Sequence, residues 1–304
     1  MIKKIFNKLI YIFQIKYINF IYFSVEKIGS TNHSVSSKLN HYIYIVNKLY
    51  KSDRLFKNFK RSVLYKEVLE HVTYSLAEKY LTALKEDYPE FLNEANLSLA
   101  LENDKVGNPE IFNFKIQTIN EEKNDKKNLM ISGPSLRYLF VYCHIYQNLQ
   151  LKIDTDFIAE IGGGYGGQAL IFDRFMDYKR YTIFDLPSVN KLSKKYLNSY
   201  YLNNSFETMD INEFEGSKKF DLVISNYAFS ELPRELQKIY LNKVILNSKS
   251  GYMTMNTGND LDFKTKTSKY RASELLKLIK NSKIIQENPI TSEKNYILIW
   301  GDNI

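Results

Sequence analysis

The sequence predicts an α/β fold: a parallel sheet with helices on both faces, finished by an antiparallel hairpin and preceded by a mainly helical N-terminal region. Three observations predict it. From residue 156, short apolar runs alternate with helical stretches, the pattern of parallel strands joined by crossover helices. The last two runs, 283–288 and 295–301, are joined too closely for such a crossover, so they must pair antiparallel. A glycine-rich loop, 162–167, separates the first of these strands from a helix.

Taken in order, residues 36–101 read as helices. The stretch 61–85 carries Val63, Val68, Val72, Leu76 and Leu81 near helical spacing, which predicts one long helix; Asp87 with Pro89 opens another. The charged run EEKNDKKN, 121–128, reads as an exposed loop or boundary between a helical region, 1–130, and a sheet domain, 131–304. Helix resumes after Gly133-Pro134 and runs to about Gln150. Strands are expected at FIAEI (157–161), YTIFD (181–185), FETMD (206–210), FDLVISN (220–226) and GYMTMN (251–256). Helices are expected at 188–202, 231–247 and 267–281, before the closing hairpin.

Of 304 residues, 44% are hydrophobic and 25% charged, which excludes a disordered chain. The single cysteine, Cys143, excludes an internal disulfide framework and a cysteine zinc site, and fits a reducing cytoplasm. The net charge of +8 is concentrated in residues 1–60, which hold eleven basic side chains against Glu26 and Asp53. The body is therefore close to neutral. The apolar run 9–25 is broken by Gln14, Lys16 and Asn19 and is short for a membrane span. Within the arm, 1–28, Lys3, Lys4, Asn7, Lys8 and Gln14 gather on one side of a helix, opposite Ile2, Ile5, Phe6, Leu9, Ile10, Ile12 and Phe13. Such an arm either lies on the anionic inner face of a membrane or packs on its own domain.

The glycine loop carries the chemistry. Gly162, Gly164 and Gly167 satisfy a dinucleotide pattern; Glu160, Gly162, Gly164 and Gly166 satisfy the acid-x-G-x-G-x-G pattern of methyltransferases. Glu160 favours the second, because an acid there can hold the ammonium of S-adenosylmethionine and would repel a pyrophosphate. The terminal hairpin favours it too. Asp185 ends the second strand, where a carboxylate can accept from both ribose hydroxyls of either cofactor. Asp210, ending the third, can face an adenine amine or cap the loop 211–219.

Together, EIGGGYGGQA, YTIFDLPSV, FDLVISNYAFSELP and GYMTMN resemble the sugar O-methyltransferase family of the class I S-adenosylmethionine-dependent methyltransferases, most firmly over residues 155–256. The resemblance implies a Rossmann-like class I methyltransferase sheet and S-adenosylmethionine as cofactor. It also implies methyl transfer to the hydroxyl of a sugar or glycoconjugate, in bacterial surface-glycan or glycoconjugate biosynthesis. The expected cofactor contacts are Glu160, Gly162, Gly163, Gly164, Gly166, Asp185, Leu186, Asp210 and Asn226.

Methyl transfer needs the acceptor oxygen in line with the methyl group and a group to take its proton. The four histidines, His33, His41, His71 and His144, all precede the sheet. Glu231 is the acid nearest the end of the fourth strand, which makes it the first candidate base; its plain alternative is a first-turn helix acid. His144, on an upstream helix, is the second, against a structural histidine. Tyr227 and Asn226 can line the pocket, and Arg137 can pair with a phosphate or carboxylate on the acceptor or stand as a surface arginine. No carboxylate–histidine spacing suits a metal, so none is expected. Methyltransferases acting on base amines often carry Asn-Pro-Pro-Tyr where this chain has Asn-Tyr-Ala-Phe, and the neutral body has no basic stripe; no nucleic-acid partner is expected. An NAD-dependent oxidoreductase is the rival outside the transferases.

Overall fold

The computed structural model describes residues 39–66, 72–116, 127–150, 155–256, 269–302 and 304. The basic arm and most of the charged run 121–128 lie outside the described residues. A small antiparallel hairpin pairs β1 (Ile111–Ile116) with β2 (Lys127–Ser132). The main sheet contains β3 (Phe157–Ile161), β4 (Arg180–Phe184), β5 (Ser205–Met209), β6 (Phe220–Asn226), β7 (Ser248–Met255), β8 (Ser282–Gln286) and β9 (Tyr296–Trp300). Its order is β5-β4-β3-β6-β7-β9-β8. The first five strands run parallel, and β9 lies antiparallel between β7 and β8. This is the Rossmann-like class I methyltransferase sheet. The chain winds outward from β3 through β4 to β5, then returns to β6 beside β3. That reversal opens a crevice at the carboxyl ends of β3 and β6, where open sheets bind ligands.

The longer helices are α1 (Leu39–Lys51), α2 (Tyr74–Asp87), α3 (Glu94–Leu101), α4 (Gly133–Leu149), α5 (Gly167–Phe175), α6 (Pro187–Leu197), α7 (Arg234–Lys243) and α8 (Ala272–Leu278). Three expectations need correction. The single helix expected over 61–85 is interrupted: Val72 and Thr73 are not helical, and Thr73 starts α2 anew by accepting from the Leu76 amide. The helix expected over 231–247 breaks at Pro233, which ends the short turn Ala228–Glu231 and precedes α7. The β1–β2 hairpin stands where no strand was expected. Its buried residues, Phe114, Ile116, Leu129 and Ile131, are too few to outweigh the polar residues between them in the sequence pattern.

Strand alternation divides the core between the two faces of the sheet. Ile158, Leu222, Ile224, Ile297 and Ile299 face one apolar cluster, which also takes in α2, α4, α5 and α6. Ala159, Ile161, Val223, Leu298 and Trp300 face the other, closed by Tyr240 and Leu241 of α7 and Leu275 of α8. The N-terminal helices thus share one core with the sheet.

A buried lysine pins them there. Lys60 is 1% exposed. Its ammonium donates to the Asn103 carbonyl at 2.5 Å and lies over the rings of Tyr165 (4.5 Å) and Tyr196 (4.9 Å). A charge-assisted hydrogen bond with desolvated cation–π contacts holds a buried ammonium that would otherwise be strongly unfavourable. Lys60→Met keeps the apolar stem and leaves the Asn103 carbonyl short of a donor. It should cost about 2 kcal/mol and lower the melting temperature by several degrees; an unchanged melting curve would show the contact to be idle.

Candidate functional site

The glycine loop leaves β3 through a tight turn that needs its glycines. Gly162, Gly164 and Gly166 have φ of 77°, 57° and 94°. A Cβ on Gly162 would stand 2.1 Å from that of Ala228, so the loops after β3 and β6 touch at this point. The Gly162 amide donates to the Phe184 carbonyl at 2.8 Å, extending the β3–β4 ladder into the loop.

Asp185, one residue past β4, ties this loop to its own. Its two carboxylate oxygens accept from the Gly164 amide at 3.0 Å and the Leu186 amide at 2.7 Å. The side chain is half-buried. Desolvation pushes its pKa up to about 6, against the pull of those two amides. Glu160 is 2% exposed and accepts from the Tyr181 hydroxyl at 2.9 Å. A Cβ on Gly163 would stand 2.9 Å from its carboxylate, so this acid lies directly against the loop. Burial pushes its pKa up to about 7; the Tyr181 hydroxyl and Arg137 draw it down and Asp185 raises it. Asp210 follows β5, and its carboxylate accepts from the amide and side chain of Asn212, both at 2.8 Å.

These groups suit a ligand that brings hydroxyls, an amine and positive charge. Asp185 keeps lone pairs for hydroxyl donors, and the buried Glu160 disfavours a pyrophosphate at the loop. S-adenosylmethionine brings all three.

Beyond the end of β6 lies a narrow cleft that opens to solvent. It brings together three residues predicted from sequence, Arg137, Asn226 and Tyr227, with Tyr80, Tyr252 and Glu287, which the sequence did not single out. Asn226 ends β6 and donates to Gln168 at 3.4 Å. Tyr227 holds φ at 68°, and its hydroxyl donates to Glu287 at 2.6 Å. Glu287 is 3% exposed and also accepts from the Thr291 amide and hydroxyl at 2.8 Å. Tyr80 on α2 hydrogen-bonds Tyr227, and burial raises its pKa to about 12. The only sequence signal for Glu287 is an acid closing an apolar strand; Tyr80 gives none beyond its place in a helix.

The two candidate bases lie elsewhere. Glu231 ends the turn after Tyr227 at an exposed position and does not line the cleft. Its neighbours still desolvate the carboxyl and raise its pKa, against Lys269 and Asn256. His144 is packed behind the cleft wall. Its Nδ1 is 2.7 Å from the Tyr252 hydroxyl, and its ring stacks on Phe140 at 5.3 Å. Burial pushes its pKa down to about 4, so it is neutral at neutral pH. Among the described residues, no cluster of three histidine, cysteine or acidic side chains could hold a metal, and no helix is long and apolar enough to cross a membrane.

No family model and no curated protein matches the chain. Several solved structures share its architecture. An S-adenosylmethionine-dependent methyltransferase from Clostridium acetobutylicum is 12% identical, over 54% of this chain and 90% of that one, with a TM-score of 0.41. Magnesium protoporphyrin IX methyltransferase from Synechocystis, with bound S-adenosylmethionine, is 9% identical over 73% and 95%, with a TM-score of 0.40. WbdD is 10% identical over 53% of this chain and 39% of its own, with a TM-score of 0.40. The strand order and the inserted antiparallel β9 define the fold independently of these likenesses.

The buried Glu160 yields a signed pH dependence. Its pKa is about 7 in the folded protein against an ordinary 4.5, so the folded state binds the extra proton and ionisation destabilises it as pH rises. Glu160→Gln removes that effect. The variant should gain most over the wild type near pH 8, and the gain should shrink steadily toward pH 5. His144 titrates in the opposite sense, but it is common to both proteins and cancels in the difference. Melting curves across this range check the trend; a difference that is flat or grows on acidification would contradict it.

Proposed function

We propose that the protein is an S-adenosylmethionine-dependent O-methyltransferase acting on the hydroxyl of a sugar or glycoconjugate. The observation that carries the cofactor is the Glu160–Gly164–Asp185 arrangement at the switch point of a sheet with this strand order. Bound S-adenosylmethionine supplies a methyl group activated on a sulfonium. In this reading Asp185 would accept hydrogen bonds from the ribose hydroxyls and Gly162 and Gly163 would allow close backbone approach, whereas Asp210 caps its own loop at Asn212. Glu160 adds negative charge beside the loop, which favours a cationic ligand.

The sugar reading rests on the resemblance over residues 155–256 and on the character of the cleft. Aromatic faces of Tyr80, Phe140 and Tyr252 line it alongside hydroxyl-seeking groups. Within it Glu287 is the acid best set to receive a proton. It is buried, it already accepts from Tyr227, and Thr291 fixes its orientation. An acceptor hydroxyl entering at Tyr227 would give its proton to the Glu287 carboxylate, and a bound sulfonium would supply the methyl group to its oxygen and leave as the neutral thioether. Glu287 therefore replaces Glu231 and His144 as the preferred base, because it alone of the three lines the cleft.

Calorimetry should detect S-adenosylmethionine binding and no NAD binding; the reverse would overturn the cofactor reading. Asp185→Ala should lower S-adenosylmethionine affinity roughly ten- to hundredfold, since a buried charge-assisted hydrogen bond is worth about 1.5–3 kcal/mol.

Glu287→Gln keeps size and hydrogen bonding but removes the base. Methylation of a cell glycan extract with labelled cofactor should slow by ~10²-fold or more while cofactor affinity holds. Glu231→Gln, the exposed control, should stay near the wild-type rate. If Glu231→Gln is slow and Glu287→Gln is not, the base is Glu231.

A further inference from the structure

Arg137 is an unusual wall for a cleft. It sits in the first turns of α4 and is only 9% exposed. Its Nε has no hydrogen-bond partner. One Nη donates to the Tyr138 hydroxyl at a long 3.3 Å, and the guanidinium lies 5.0 Å from that ring. Among the described residues no carboxylate forms an ion pair with it. Glu287, the one acid lining the same cleft, is engaged by Tyr227 and Thr291. Buried charges are normally paired, and a buried polar atom without a partner calls for an explanation.

We propose that Arg137 is the anion subsite of the acceptor, so that the cleft takes a sugar bearing a carboxylate or phosphate rather than a neutral one. The guanidinium presents a planar fork that matches either group, and Arg137 lines the cleft while its buried Nε has no partner. Tyr80 lies between the two ends of the cleft: its hydroxyl feels both Arg137 and Glu287 and hydrogen-bonds Tyr227. An acidic sugar meets the cation at one end and presents hydroxyls to Glu287 and Tyr227 at the other. Phe140 and Tyr252 supply apolar walls between them. The inference rests on reading this cleft as the acceptor site of the proposed methyltransferase. The rival source of an anion is the cofactor's own amino-acid carboxylate.

Calorimetry on the full chain separates these. The probes are D-glucuronate, glucose 1-phosphate and D-glucose, each with and without saturating S-adenosylhomocysteine. At least one anionic sugar should bind the wild type ~tenfold or more tightly than glucose; glucuronate assigns a carboxylate and glucose 1-phosphate a phosphate. Arg137→Met should erase that preference, leave S-adenosylhomocysteine affinity within about twofold, and melt at or above the wild-type temperature, since it removes an unpaired buried charge. A wild type that binds no probe, or all three alike, overturns the proposal without any variant. A tenfold loss of S-adenosylhomocysteine affinity in Arg137→Met with the sugar preference intact gives the guanidinium to the cofactor and overturns it too. So does a fall in melting temperature of ten degrees, which would mean that the fold already pairs the charge. If S-adenosylhomocysteine fails to bind the wild type while an Arg137-dependent anion preference persists, the methyltransferase reading fails and the anion subsite stands.

Discussion

Asn103 and the lysine it holds tie the helical region to the ligand-binding edge of the sheet. Lys60 donates to the Asn103 carbonyl, and the Asn103 side chain donates to Ser135 at 2.7 Å and accepts from Tyr196 at 2.7 Å. Ser135 opens α4, Tyr196 belongs to α6, and Tyr165, whose ring faces the lysine, lies inside the glycine loop. One buried polar knot therefore fixes the loop that would cradle a cofactor and the helix that carries Arg137. Networks of this kind are stable only when every member is satisfied, which is why they specify one arrangement. Without the knot, α4 would still find apolar partners, but its register against the loop would rest on packing alone.

The charge distribution follows the same geometry. Glu160 and Asp185 crowd the carboxyl ends of β3 and β4, and both titrate above their ordinary range because the fold withdraws water from them. A positive centre or hydroxyl donor beside them would favour their ionised forms. Arg137, across the loop, is the opposite case: a buried positive charge that draws Glu160 down without pairing with it. The carboxylates and the guanidinium therefore lie on opposite sides of the loop with opposite sign.

Much of this was legible in the sequence, for a physical reason. The glycine-loop half of the site is built from β3, β4 and β6 and the turns that follow them, so each position is encoded by a strand's apolar run and the residue that ends it. Glu160, the glycines, Asp185 and Asn226 occupy such ends and could be located from pattern alone. So could the closing hairpin, because a short connection forces antiparallel pairing. The interruption of the helix expected over 61–85 could not be read from apolar spacing, which continues through Val68 and Val72 with no proline to stop it. The β1–β2 hairpin escaped for a related reason: its inward residues are separated by asparagine and lysine, which read as loop.

The cleft was legible only in part: Arg137 and Tyr227 were sequence candidates, but Tyr80 and Glu287 were not, because the cleft has no local sequence of its own. Tyr80 comes from α2, Arg137 from α4, Tyr227 from the turn after β6, and Glu287 from the residue after β8. Each side chain has an ordinary explanation in its own segment: a helical aromatic, a surface arginine, a turn residue, a strand-end acid. Only the sheet order, which folds β8 and β9 back against β7 and sets α2 and α4 over the same edge, brings them into one cleft. A family resemblance confined to residues 155–256 therefore covers the glycine loop and Asp185 and omits three of these four side chains. Acceptor chemistry can then change through Tyr80, Arg137 and Glu287 while the glycine loop and Asp185 stay as they are.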